Sequence, residues 1–451
     1  MSGAGATRIR WLLVFWLFVL SAISFLDRVN ISIAGSSLAE EYHLSQVRLG
    51  WVFSAFLLGY ALFQTPGGWL VDRFGPRRVL TVAVVWWGIF TALTASLPTK
   101  VAGAVFFFVL VRFLLGAGEA IIYPSSNQFV SQWIPSQERG IANGMIFAGV
   151  GAGAGIAPTF VTYVMIHYGW RSSFWVSALI GLCAGIVWYL IARDKPEQHP
   201  SVNSVELSFI QKFRTPVPDA GSCMENSPQH NGVSPARNVP WRCILTSKSI
   251  LAVTASYFCF GYVAWIFFSW FYIYLAKVRG MDLKASALYS TLPPLAIVAC
   301  SLSGGAINDA LSRFYGKRVG RCGVAFLGLL LAAVFLVIGS RAASPAVASI
   351  VLSGGAGALY LSQSSYWSVT ADIAGDCAGS ASGFMNMGAQ FGGALTASLT
   401  PAIAQRYGWT SSFLVAAALS VAGGLAWLLI DPERPLIPVA SGVLVEGPAA
   451  S

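Results

Sequence analysis

Charge is what this chain has least of. Asp, Glu, Lys and Arg make up 10% of its 451 residues, against roughly 25% in an ordinary soluble domain, which excludes a water-facing globular surface. Histidine is also scarce: His43, His167, His199 and His230 fall at helix ends or in loops, where solvated rings and no metal centre are expected. Seven cysteines are scattered in odd number without a Cys-x-x-Cys pair, which argues against a disulfide framework or a zinc site. There is no nucleophile beside a base, no nucleotide loop and no metal cluster, so an enzyme is not expected.

Apolar residues fill the space that charge vacates, at 56% of the chain with mean hydropathy +0.66. A helix needs about 20 apolar residues to cross the ~30 Å hydrocarbon layer. Twelve such runs, numbered helix 1 to helix 12, begin near Trp11, Leu49, Val79, Ala102, Gly140, Ser172, Ile250, Ser286, Cys322, Pro345, Gly379 and Ser411. The first run is too long for a signal-peptide core, carries Asp27 and Arg28, and has no small-residue cleavage site before them. It is predicted to be retained, with Arg8 and Arg10 in the cytosol.

An even number of crossings with the N-terminus inside puts both termini in the cytoplasm. Of the 28 Lys and Arg, 18 then fall on the cytosolic side, 8 outside and two in the membrane, as the positive-inside rule requires. That asymmetry accounts for the net charge of +10. A nucleic-acid partner is not expected, because the basic residues are dispersed among short loops instead of gathered on one face. The partners implied are the lipid bilayer of a bacterial cytoplasmic (inner) membrane and a small solute, with the chain acting as a monomer. Trp11, Trp51, Tyr123, Trp170 and Trp409 fall near predicted helix ends and read as interfacial anchors.

One long polar linker, 193–248, divides the chain into 1–192 and 249–432, followed by a cytoplasmic tail, 433–451. Within the linker, Asn203-Ser-Val-Glu206 ahead of Leu207, Phe209 and Ile210 resembles a capping box and predicts a short surface helix. Disorder is expected from Thr215 to Pro240. The two flanking parts repeat each other. Tyr168-Gly-Trp-Arg-Ser-Ser-Phe174 matches Tyr407-Gly-Trp-Thr-Ser-Ser-Phe413, and the same offset pairs Gly140, Gly144, Gly149 and Gly153 with Gly379, Gly383, Gly388 and Gly392. Gly67-Gly-Trp-Leu-Val-Asp72 likewise answers Gly304-Gly-Ala-Ile-Asn-Asp309. The fold class expected is therefore all-α integral membrane, with twelve helices in two pseudo-symmetric six-helix bundles. This is the parallel-repeat plan of an alternating-access carrier with its substrate at the midplane.

Two acid/base pairs, Asp27 with Arg28 and Arg112 with Glu119, lie deep in apolar segments, where charge is costly enough to mark transport pathways or proton relays. Arg112 and Glu119 are seven residues apart, on one face of helix 4 and about 10.5 Å apart along its axis. Asp27 and Arg28 diverge by about 100° around helix 1, so that one can meet helix 4 while the other faces a central cavity. The alternative is a structural ion-pair network between helices 1 and 4. Desolvating each ion costs several kcal/mol, which makes retention for stability alone the weaker explanation. The second half carries no such charge in mid-helix, and offers Gln363, Ser364, Ser365, Tyr366 and Trp367 on helix 10 and Asn386 and Gln390 on helix 11.

The loop Gly68-Trp-Leu-Val-Asp72-Arg73-Phe-Gly75-Pro-Arg77-Arg78 resembles the signature between the second and third helices of the major facilitator superfamily, with Pro76 displacing the arginine pair by one position. By that resemblance Asp72 and Arg73 are gating residues, while Arg77 and Arg78 are expected to face anionic lipid. Four further stretches resemble the anion:cation symporters: Phe25-Leu-Asp27-Arg28-Val-Asn-Ile-Ser, Gly59-Tyr60-Ala-Leu-Phe-Gln64-Thr-Pro66-Gly67-Gly68, Arg112-Phe-Leu-Leu-Gly116-Ala-Gly118-Glu119, and Pro124 to Asn127. These symporters include bacterial galactonate, glucarate and hexuronate transporters and the animal sialic-acid and vesicular glutamate carriers.

The resemblance implies proton-coupled symport of a small organic anion, with protons as the coupling ion and no cofactor. Arg28 would bind the substrate carboxylate, Asp27 and Glu119 would carry protons, and Arg112 would set the proton affinity of Asp27. Tyr60, Ser364, Trp367 and Gln390 would contact substrate. Val150 stands where several sugar-acid carriers have a glutamine, so aromatic or short-chain carboxylates remain alternatives to a galactonate, glucarate or hexuronate type of substrate. A non-transporting nutrient sensor is a further alternative, although no appended signalling domain supports it.

Overall fold

The computed structural model describes residues 5–98, 103–212 and 239–436. The tail beyond 436 and nearly all of the Thr215–Pro240 stretch expected to be disordered lie outside the described residues. Eleven helices are long and apolar enough to cross a membrane. One of them, Pro345–Tyr407, has 63 residues, ~95 Å if straight, three times the hydrocarbon thickness. It breaks at Gly375–Cys377, where Gly375 takes φ +53°, and folds back as two crossings. Among the described residues the crossings therefore number twelve.

In the first half these are helix 1 (Ile9–Glu41), helix 2 (Gln46–Phe74), helix 3 (Pro76–Ser96), helix 4 (Ala104–Trp133), helix 5 (Arg139–Tyr168) and helix 6 (Trp170–Ile191). The second half has helix 7 (Lys248–Ser269), helix 8 (Leu292–Tyr315), helix 9 (Arg318–Arg341), helix 10 (Pro345–Leu361 continued by Gln363–Ala374), helix 11 (Ala378–Tyr407) and helix 12 (Trp409–Leu429). The face carrying the start of helix 1 is called here the N-face.

The sequence repeat is a repeat of backbone contacts. Gly169 and Gly408, at φ +82° and +85°, make the same turn in the two halves. A side chain on Gly153 would strike the carbonyl of Ala22 on helix 1, and one on Gly392 would strike that of Phe258 on helix 7. Gly144 lies against the Ser301 carbonyl of helix 8, and Gly383 against the Gln64 carbonyl of helix 2. The paired glycines thus bring helices 5 and 11 into backbone contact with a helix of their own half and with one of the other half. Small residues allow such approach where lipid gives no hydrophobic drive between helices.

At the N-face the halves are joined by two matching caps. Asp72 of helix 2 accepts hydrogen bonds from Gly379 N (2.9 Å) and Ser380 N (2.7 Å) at the start of helix 11. Asp309 of helix 8 accepts from Gly140 N (2.8 Å) and Ile141 N (2.7 Å) at the start of helix 5. A carboxylate at a helix N-terminus meets unpaired N–H groups and the positive end of the helix dipole. Between the caps, Arg139 of the first half pairs with Asp372 of the second at 2.5 Å. Arg321 holds Asp309 (2.9 Å) and Asp372 (3.3 Å) and donates to the Ser136 carbonyl across the interface.

These pairs correct the expectation that Asp27, Arg28, Arg112 and Glu119 are the only deeply placed charges: Arg139 and Arg321, read as loop cations, are fully buried. The membrane's end is not the protein's end there, because the opposite half supplies the cover. The Arg77 side chain donates to the Tyr189 carbonyl (3.0 Å) and its backbone N–H to Asp194 (2.8 Å). Arg73 lies over Trp69 and Phe74 of its own helix.

The linker helix forms at Ser204–Lys212, with Asn203 Oδ1 accepting from Glu206 N at 2.9 Å. Glu206 does not return the bond to complete a capping box. Its carboxylate instead takes Thr7 Oγ1 (2.6 Å), Ile9 N (3.2 Å) and Arg10 Nη1 (2.9 Å), tying the linker to the start of helix 1. On the opposite face, Arg171 and Trp170 hydrogen-bond Glu41 and hold its carboxyl below the usual range.

Arg139→Ala is expected to loosen the N-face. Removing a charged hydrogen bond costs about 1.5–3 kcal/mol, so a cysteine placed at Asn143, buried between the halves, should react with a maleimide about tenfold faster or more in the Arg139→Ala background. Thiol-labelling rates in membranes measure this, and an unchanged rate counts against the clamp.

Candidate functional site

Helices 4 and 10, fourth in their respective halves, both break near mid-membrane, at Ala120–Ile121 and at Ser362. Discontinuous helices place backbone and side-chain polar groups where a carrier binds its ligand. The first break leaves Glu119 at the end of one helical piece and Tyr123 at the start of the next; the second puts Gln363 at the start of a new piece.

Between the halves lies a cavity lined from both sides. The first half contributes Phe25 and Arg28 from helix 1, Tyr60 from helix 2, Tyr123 from helix 4, and Phe147 and Val150 from helix 5. Facing them are helix 7, with Tyr257, Phe260, Trp265 and Phe268 among its lining residues, then Tyr360 and Gln363 of helix 10 and Asn386 and Gln390 of helix 11. Arg28 is the single charged residue on this wall.

Arg28 Nε donates to Glu119 Oε1 at 2.6 Å, and Ser24 Oγ donates to the same oxygen at 2.5 Å. The guanidinium sits over the rings of Tyr60 (4.2 Å) and Phe25 (4.7 Å). Such rings stabilise a partly desolvated cation without neutralising it. Glu119 Oε2 makes no further hydrogen bond, so the site retains acceptor capacity beside the cavity. Asp27 and Arg112 stand behind this pair, 4% and 2% exposed, and neither lines the cavity. Ser177 of helix 6 lies beside Asp27, whose charged neighbours are Glu119, Arg112 and Arg28. Arg112 lies 4.8 Å from the centre of the Phe56 ring, which also underlies Arg28.

Of the substrate contacts expected from the sequence, Arg28, Tyr60 and Gln390 line the cavity. Ser364 and Trp367 are not among the residues that line it. Helix 10 restarts at Gln363 and turns that residue to the cavity, so Ser364 points about 100° away. Trp367, one turn on, lies behind Tyr257, and its indole Nε1 donates to the Tyr257 hydroxyl at 3.1 Å, as Gln363 Nε2 does at 2.8 Å. Trp367 therefore positions a wall residue. Tyr123 is not an interfacial anchor either. Helix 4 runs on to Trp133, which puts Tyr123 in mid-membrane, 3% exposed, against Ser21 (3.0 Å) and the cavity. Tyr257 and the other helix 7 aromatics, and Tyr360 of helix 10, were missed, because nothing in their spacing separates them from packing rings.

The comparisons agree with this architecture. The Major Facilitator Superfamily model matches residues 17–397 and 314–446. The chain is 34% identical over 412 residues to the probable sulfoacetate transporter of Cupriavidus necator, covering 91% of each. It is 30% identical over 307 residues to the probable galactarate/D-glucarate transporter of Bacillus subtilis (68% of this chain, 66% of that one), and 30% identical to the chloroplastic ascorbate transporter of Arabidopsis thaliana (95% and 76%). The solved structure of a proton:xylose symporter of the superfamily superposes with TM-score 0.71 at 16% identity over 91% of this chain and 94% of that one. With its twelve crossings, its cavity between two repeated halves and a family model spanning most of its length, the chain belongs to the Major Facilitator Superfamily, among its anion transporters, and is not an enzyme.

Proposed function

We propose that the chain is a secondary active transporter that moves a small organic anion together with protons by alternating access. The observation that carries this reading is the 2.6 Å contact between Arg28 and Glu119 on the cavity wall. The guanidinium is engaged by the protein's own carboxylate. A proton on Glu119 removes that competitor and leaves Arg28 to grip the substrate carboxylate through its planar fork. Proton loading and anion loading therefore favour each other, which is the coupling a symporter needs. Asp27, facing Arg112 behind the wall, is the second proton carrier in this scheme, with Arg112 setting its affinity.

The Lys/Arg asymmetry supports the N-face as the cytosolic side of a bacterial inner membrane, with both termini inside. On that orientation the clamp closes the cytosolic side. Asp72 is its gating residue, and Arg73 flanks it at the surface. The moving units are 1–192 and 249–432, joined by the linker 193–248. For the substrate, the galactarate/glucarate relative supports a sugar acid of galactonate, glucarate or hexuronate type, held at its far end by Gln363, Asn386 and Gln390. A second reading, an aromatic or short-chain carboxylate, is favoured by one observation: nine of the seventeen lining residues are aromatic and Val150 is among the rest.

Arg28→Ala should lower anion affinity about thirtyfold or more, since truncating one partner of a buried charge pair costs about 2–5 kcal/mol. Arg28→Lys should rescue poorly, because an ammonium does not reproduce two parallel hydrogen bonds. Equilibrium binding of candidate carboxylates checks both, and unchanged affinity in Arg28→Ala would sink the assignment.

Glu119→Gln imitates a permanently protonated carboxyl and should keep binding and counterflow while losing accumulation driven by an inward pH gradient. Asp27→Asn should behave likewise, with weaker binding as Arg112 loses its counter-charge. Counterflow and pH-driven uptake in the same proteoliposomes separate the two activities. Accumulation retained by Glu119→Gln would leave only the structural ion-pair reading of helix 4.

A further inference from the structure

We infer that the cavity selects for anions of a single charge, with an uncharged far end, and discriminates against dianions of the same size. This rests on the organic-anion reading above and adds to it the charge class of the substrate.

The argument is a census of positive charge. Along the second half, no Lys, Arg or His occurs from 249 to 276, from 285 to 312, from 322 to 340 or from 342 to 405. Its cations are confined to helix ends: Arg279 binds the Ala343 carbonyl (3.1 Å), and Arg321 is engaged by Asp309 and Asp372 in the N-face clamp. No side chain of that half can bring a cation to the midplane. The first half has two guanidiniums in mid-membrane, and Arg112 is not among the residues that line the cavity. One remains, Arg28.

What faces Arg28 across the cavity is neutral. The Tyr257 hydroxyl is fixed by Trp367 and Gln363 at 3.1 and 2.8 Å, Asn386 donates to Gln64 (3.0 Å), and Gln390 is held loosely by Asn386 (3.5 Å). Hydroxyl and amide groups there suit a hydroxyl, a carbonyl or a ring edge. A second carboxylate or a sulfonate would lose its hydration without a counter-ion, a cost of several kcal/mol for an unpaired ion in a low-dielectric site. The relatives named for sulfoacetate and for galactarate/glucarate bear names of dianions. The prediction therefore separates this chain from the substrates those names suggest.

The test uses wild-type protein in detergent, with tryptophan fluorescence as readout, since Trp265 is on the cavity wall. Three matched pairs serve as probes at a pH where every acid group is ionised: galactonate and galactarate, isethionate and sulfoacetate, benzoate and phthalate. In each pair that binds, the monoanion should bind about tenfold tighter or more, an effect of one unpaired charge. Gln390→Lys, which adds a cation opposite Arg28 at a loosely held position, should narrow or reverse that ratio. A dianion binding as tightly as its monoanion in the wild type overturns the inference and leaves the symporter reading intact. Monoanion preference without pH-driven accumulation in proteoliposomes upholds the inference and removes proton coupling. Failure of all six anions to bind removes both.

Discussion

Holding a guanidinium in the middle of a membrane is the constraint on which this structure turns. Arg28 lies far from bulk water, where an unpaired ion is unstable by several kcal/mol. Its environment answers that cost twice over: a carboxylate at 2.6 Å, and tyrosine and phenylalanine rings on its faces. The break in helix 4 follows from the same need, since it ends one helical piece at Glu119 and swings Tyr123 to the wall.

The N-face solves a related problem by other means. Asp72 and Asp309 are carboxylates at the membrane's edge, and each is satisfied by two backbone N–H groups at the start of a helix from the opposite half. Backbone donors of this kind vanish as partners when the halves separate, so the caps exist only in the closed arrangement. The two caps are not equivalent. Asp309 also holds Arg321, whereas among the described residues Asp72 has no ion pair, so the second half's cap is reinforced by a cation network that includes Arg139 and Asp372. Among the described residues the hydrogen bonds between halves gather between the cavity and this face, and no ion pair joins the halves on the far side. At the cavity itself Phe25 meets Phe268 across the interface with ring centroids 5.8 Å apart.

The glycines connect these two regions. Gly140 and Gly379 supply N–H groups to the caps, and Gly153 and Gly392, farther along the same helices, let helices 5 and 11 lie directly on helices 1 and 7, which carry Arg28 and Tyr257. Each of these helices is thus in backbone contact both with the clamp and with a cavity wall. Packed helices of this kind shift as units.

Composition and periodicity were enough for the membrane class, the twelve crossings and the two-fold repeat, because lipid imposes length and hydropathy on every helix regardless of its neighbours. Placement of Arg28 and Glu119 in mid-membrane was legible for the same reason: a charge among apolar residues stands out along the chain. Arg139 and Arg321 were not, since they look like ordinary loop cations until Asp372 and Asp309 from distant helices cover them. Tyr123, Tyr257 and Trp367 were misjudged or missed because an aromatic residue is equally at home in packing, at an interface or on a cavity wall. The sequence alone determined which residues must avoid water and where charge is absent, including the lack of any mid-helix cation in the second half. Only the tertiary structure decided which faces meet across the two halves, because wall, clamp and positioning roles depend on the angle around each helix at which a partner from the other half arrives.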